Sequence, residues 1–120
     1  MSNTSATRPL PEGFDVFCRV VDNYGDAAVC WRLACSLAAL PARVRLWIDD
    51  PAVLAALSPE ANSVEVLPWR DETDFGEPAP VAIDAFGAGL PERYVEALAA
   101  RRGLWIVLEY LSAETWVADR

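Results

Sequence analysis

"FDVFCRVVDNYGDAAVCWRLACSLAAL", residues 14–40, decides the fold of this chain. Its first eight residues, FDVFCRVV (14–21), form a short apolar run rich in β-branched and aromatic residues, the pattern of a strand, with Arg19 keeping it from complete burial. From Asp26 the period changes: Val29, Leu33, Leu37 and Leu40 recur at helical spacing across 26–40, and Pro41 closes the run. Between the two lies DNYGD (22–26), with two aspartates four positions apart.

The same alternation continues outward. RVRLWI (43–48) reads as a second strand, and DDPAVLAAL (49–57) as a helix with Asp50 at its N-cap and Pro51 in its first position. SVEVLPW (63–69) alternates as a third strand, and RDETDFGEPA (70–79) is an acidic loop. PVAIDAF (80–86) is a fourth strand, PERYVEALAARR (91–102) a helix whose terminal arginines suit its dipole, and GLWIVLEY (103–110) a fifth strand. A further helix is expected to start at Ser112 and to have barely turned by Arg120. Short apolar strands alternating with helices predict an α/β fold, a Rossmann-like parallel sheet with flanking helices. That sheet is expected to occupy 14–120 as part of a larger domain, behind a flexible tail at 1–13, MSNTSATRPLPEG, which lacks the apolar core of a secretory signal.

Composition narrows the function. The chain of 120 residues is 53% apolar, enough for a core. Its ten basic residues are all arginine, set against 18 acids, for a net charge of −8. That balance provides no basic stripe for a phosphate backbone, and no apolar run is long enough to span a bilayer. Cys18, Cys30 and Cys35 are an odd set without a CxxC pair, which suits buried thiols in a reducing cytoplasm. With no histidine, any general base within the chain is a carboxylate, a tyrosine or a cysteine. With no lysine, both a P-loop and a phospho-receiver site are excluded, and NYGDAA supplies one of the three glycines of a dinucleotide fingerprint.

In an open parallel sheet the ligand crevice lies off the carboxyl ends of the strands. DNYGD, Asp49-Asp50, GAGLP (87–91) and EYLSAE (109–114) all fall there. Each residue of the first loop has two readings. Asp26 is an ordinary N-cap or a functional carboxylate, and Asp22-Asn23 an ordinary turn pair or part of a site; Tyr24 is a packing residue or a contact, and Gly25 permits a tight approach to the helix. Asp22 lies one residue past the strand and is not needed as a cap.

DVFCRVVDNYGDAAVCWRLA (15–34), LWIDD (46–50), DAFGAGLP (84–91) and LEYLSAETWV (108–117) follow in an order and spacing that resembles the protein-arginine rhamnosyltransferases of bacterial translation elongation factor P. The resemblance covers about 14–118 and departs from the expected pattern at Ala27, Ala28, Asp84 and Ala88. It implies the amino-terminal, acceptor-side part of a two-domain glycosyltransferase-B enzyme. Such an enzyme transfers L-rhamnose from dTDP-β-L-rhamnose to an arginine with inversion, without metal or cofactor, the donor being bound mainly by the other domain. Carried over by position, Asp22 and Asp26 are the catalytic aspartates, and Asn23, Tyr24, Gly25 and Glu109 are the substrate-binding candidates.

The implied chemistry suits carboxylates. A guanidinium is a poor nucleophile while protonated, and an aspartate beside it holds its planar fork and takes a proton as the new C–N bond forms. Asp22 is the expected base, and Asp26 the residue that orients the acceptor or Asp22. A rival expectation is a non-catalytic module that docks elongation factor P without transfer.

Overall fold

The computed structural model describes residues 11–20, 24–57, 64–70, 72–86 and 88–108, excluding the side chains of 24, 25 and 55–57. Eight elements follow one another: β1 (Gly13–Cys18), α1 (Tyr24–Ala38), β2 (Arg43–Ile48), α2 (Ala52–Leu57), β3 (Val64–Pro68), β4 (Val81–Ala85), α3 (Glu92–Ala100) and β5 (Leu104–Leu108). The strands form one five-stranded sheet in the order β3-β2-β1-β4-β5, with every neighbouring pair parallel. This is the Rossmann-like α/β arrangement expected from the sequence.

Strand alternation sorts β1 between two cores. Phe14, Val16 and Cys18 join Cys30 and Ala34 of α1 and Leu54 of α2 on one face. Phe17 points to the other face, where Trp47, Trp69 and Phe75 pack with Tyr94 and Leu98 of α3. The Phe17 ring lies 4.7 to 6.1 Å from those of Tyr94, Trp69, Phe75 and Trp47. The Trp47 ring is stacked and the other three meet Phe17 edge to face, and such pairs contribute about 0.5–1.5 kcal/mol each beyond their buried area.

The second face also buries an ion pair. Asp15 is wholly buried, and Arg45, its register partner on β2, donates to it through Nε (2.6 Å) and Nη2 (2.7 Å). Trp47 Nε1 (3.2 Å), the Ala79 amide (3.0 Å) and the Tyr94 hydroxyl complete its shell. Burial works against the charge on Arg45, and the bonds to Asp15 reverse that, leaving its pKa above the usual value. Burial and then the Asp15 charge push the Tyr94 phenol up.

Element ends differ from the sequence expectations. Gly13, read as tail, opens β1 opposite Arg43. The strand stops at Cys18, because Arg19 turns to Ala88 and Val20 to Asp49. Helix α1 starts at Tyr24, two residues before the expected start, so Asp26 lies in its first turn and is not its cap. Helix α2 proper starts at Ala52, although Val53 N donates to Asp50 O (3.2 Å) and Leu54 N to Pro51 O (3.0 Å), closing the first turn over the expected residues. Helix α3 ends at Ala100, where Arg102 N donates to Ala99 O (2.9 Å) and Gly103 N to Leu98 O (2.8 Å), a Schellman motif that satisfies the last carbonyls. Arg102, expected inside the helix, has φ of 61° in the left-handed position that glycine usually fills. Residues 1–10 of the tail expected at 1–13, and the helix expected from Ser112, lie outside the described residues.

Candidate active site at the carboxyl edge

Helices α1 and α2 pack on one face and α3 on the other, and the order in which strands are added switches sides between β1 and β4. Right-handed crossovers carry the connections after these two central strands to opposite faces, and open parallel sheets hold their ligand crevice at such a point. The DNYGD stretch (22–26) follows β1 at that point.

The described approach to the loop is Cys18-Arg19-Val20. Cys18 O accepts from the Asp49 amide (3.4 Å) and from Trp69 Nε1 (3.0 Å). Val20 N donates to Asp49 Oδ1 (2.7 Å). Arg19 Nε donates to Ala88 O (2.9 Å), and its guanidinium carbon sits 4.6 Å from the Trp69 ring centre. Asp49 therefore acts as a backbone acceptor at the end of β2.

Of the site residues expected from sequence, Asp26 is the one whose side chain is described. Its Oδ1 is buried with no hydrogen-bond partner among the described residues. Burial raises the carboxyl pKa above the ordinary 3.8. Buried polar atoms in native proteins are nearly always paired, so this oxygen marks a place where a donor is wanted. Tyr24 and Gly25 are described only as the first two residues of α1. Asp22, Asn23 and Glu109 lie outside the described residues.

Other groups on this edge are committed to the fold. The wholly buried Cys18 thiol has its pKa pushed up by its hydrogen bond with Cys30, then by burial, with the Asp26 and Asp49 charges adding to the effect. Both thiols lie in the apolar core, as expected for small hydrophobes, and Cys35 is half-buried. Asp84 is buried and accepts from the Gly89 amide at 3.4 Å, which steadies the loop after β4. Among the described residues, no cluster of three or more histidines, cysteines or acids could hold a metal ion. No described helix is long and apolar enough to cross a membrane.

A cleft of about 280 Å³ at the opposite, amino edge is lined by Arg43, Arg45 and Arg101 with Glu12 and Glu77. Its arginines already serve the fold: Arg43 pairs with Glu65, Arg45 with Asp15, and Arg101 donates to Pro78 O. Sequence reasoning missed the roles of Asp49, Trp69 and Ala88. Only the position of each just past a strand end hinted at them.

The sequence pattern of the Elongation-Factor P (EF-P) rhamnosyltransferase family, EarP, matches residues 14–120. The chain belongs to the EarP family. Protein-arginine rhamnosyltransferases of Pseudomonas aeruginosa and Pseudomonas putida are 46% and 45% identical to it, over 118 and 116 residues that cover 88% and 87% of the chain. The protein-arginine rhamnosyltransferase of Neisseria meningitidis serogroup B is 37% identical over 110 residues, covering 82%. The chain spans about 31% of the length of the two Pseudomonas relatives and 29% of the Neisseria one. The EarP match takes in every site residue expected from the sequence, Asp22 through Asp26 and Glu109.

Proposed function

We propose that this chain is the acceptor-side part of an inverting glycosyltransferase that moves L-rhamnose from dTDP-β-L-rhamnose to an arginine of translation elongation factor P. Asp26 carries the reading. Its buried oxygen, without a partner among the described residues, stands in the first turn of α1, the helix that follows β1 on the carboxyl edge of the sheet, in an EarP-family chain. A guanidinium N–H is the donor that such an oxygen lacks, and the chain's net charge of −8 favours a cationic target.

In the proposed reaction Asp26 accepts one N–H of the acceptor arginine and orients the fork. A terminal guanidinium nitrogen then attacks the anomeric carbon as the bond from that carbon to the diphosphate oxygen breaks, and dTDP departs with the bonding electrons. The proton lost by the nitrogen passes to the Asp22 carboxylate, and the anomeric configuration inverts. Asn23, Tyr24, Gly25 and Glu109 line the acceptor path in this reading. The nucleotide-sugar pocket belongs to the second half of a glycosyltransferase-B enzyme, and the reaction is placed in the cytoplasm.

The full-length protein, incubated with donor and elongation factor P, should raise the acceptor's intact mass by one deoxyhexose. Asp22→Asn should cut the rate by about 100-fold or more while leaving the melting temperature and acceptor docking unchanged. Wild-type-like transfer by that variant would refute the general-base assignment. Docking without transfer by the wild type would favour the rival reading, a binding module, which the 31% coverage of the relatives keeps in view.

A further inference from the structure

We infer that Asp49 is a positioning residue for the transfer reaction, a role that rests on the function proposed above: with Trp69 and Ala88 it clamps the three residues that deliver the Asp22 loop. The paired registers of β1 end at Cys18 opposite Ile48 of β2 and at Phe17 opposite Asp84 of β4. Past these points no strand pairing holds the chain among the described residues. Three separate strand exits take over. The exit of β2 supplies Asp49, whose amide donates to Cys18 O (3.4 Å) and whose Oδ1 accepts from Val20 N (2.7 Å). Next to it, the exit of β3 supplies Trp69, which donates Nε1 to Cys18 O (3.0 Å) and lies under the Arg19 guanidinium. The loop after β4 supplies Ala88 O, which accepts from Arg19 Nε (2.9 Å).

This clamp is buried where it grips. Cys18 is wholly inaccessible, Trp69 is 1% exposed and Val20 6% exposed. A carboxylate receiving a backbone N–H makes a shorter, stronger bond than a carbonyl does, which suits a site with a single acceptor. From Val20 to Asp22 the chain is two residues long, a reach of at most about 7 Å. Any freedom at Val20 therefore passes almost undamped to Asp22. Displacing a reacting group by about 1 Å can cost on the order of 100-fold in rate.

The test compares Asp49→Ala, Asp49→Asn and Trp69→Phe in the full-length protein. The readouts are kcat, KM for elongation factor P, thermal melts and hydrogen exchange at the Val20 amide. Asp49→Ala should lower kcat by about 10- to 100-fold, with faster exchange at Val20 and KM within about threefold. Asp49→Asn keeps an oxygen for Val20 N and removes only the charge, so it should restore kcat to within about threefold and restore the slow exchange. Trp69→Phe keeps a ring under Arg19 but loses the bond to Cys18 O, and should lower kcat by about three- to tenfold. It carries the same test if Asp49→Ala does not fold. Unchanged kcat in the folded variants, against an active wild type, overturns the role of Asp49. Asp49→Asn as slow as Asp49→Ala also overturns it, because Asp49 would then act on substrate through its charge. Wild-type protein that transfers no rhamnose overturns the function reading first, and the role of Asp49 with it.

Discussion

Asp15 of β1 and Arg45 of β2 face each other in register and meet through two hydrogen bonds, of 2.6 and 2.7 Å, with the carboxylate wholly buried. Such a pair gains little over an apolar substitute but is costly to break from one side. Asp15→Ala takes the carboxylate away from Arg45, the Trp47 indole N–H, the Ala79 amide and the Tyr94 hydroxyl together, leaving Arg45 with its bond to Glu77 O (2.9 Å). Urea unfolding should show a loss of about 3–5 kcal/mol. Arg45→Met leaves the carboxylate with three donors and should cost less. Tyr94→Phe removes a single bond to a charged acceptor and should cost about 1.5–3 kcal/mol. The reverse ranking would mean that Arg45, and not the ring of donors, sets the stability of this core.

Asp26 should show opposite effects on stability and activity. Burial holds its carboxyl pKa above 3.8 in the folded state, so just above pH 3.8 the folded chain binds more protons than the unfolded one. Its contribution to stability therefore falls as pH rises through that window and is level once both states are ionised. Asp26→Asn removes the slope and should melt higher than wild type at neutral pH, while transfer falls by about 100-fold or more. Melts from below pH 3.8 to neutrality, beside the mass assay, decide it. A variant that is active but no more stable would return Asp26 to an ordinary helix-start role.

The end of α3 separates two backbone requirements. Arg102 holds φ at 61° without being glycine, so Arg102→Gly should be neutral or stabilise by up to about 1 kcal/mol. Gly103 needs space: a Cβ there would sit 2.3 Å from Leu98 Cδ1 and 3.0 Å from Pro80 O. Gly103→Ala should lower the melting temperature, while thermal melts of Arg102→Gly should show no decrease.

Edge strand β5 carries Leu104, Trp105, Ile106 and Val107 at 56, 46, 40 and 50% exposure. Four consecutive exposed apolar residues on a sheet edge form a pairing template. Sedimentation velocity on this chain should show self-association that grows with concentration. Trp105→Lys combined with Val107→Lys should suppress it, since charge on an edge strand opposes pairing. A wild-type chain that stays monomeric at high concentration would show the edge to be protected.

Most of the fold was legible in the sequence, because the cues are local. The period of two in "RVRLWI" and the helical spacing of Val29, Leu33 and Leu37 each depend on neighbours within a few residues, and β2 was placed to the residue. Strand-helix alternation then implied a parallel sheet and put DNYGD on its carboxyl edge. Element ends were less legible. Whether Asp26 caps α1 or lies inside its first turn depends on where the backbone first turns helical, which the side-chain pattern leaves open by a residue or two. What tertiary structure alone decided is which polar groups meet. Asp15 passed as an unremarked polar residue in an apolar strand, yet its partners come from 30, 32, 64 and 79 positions away. Asp49 looked like one of two acids before a helix, and only the end of the β1 pairing at Cys18 leaves Val20 N for it to accept, 29 residues back along the chain. Side-chain period records which face of an element is buried; the partner on that face is set by strand order, register and the space between layers.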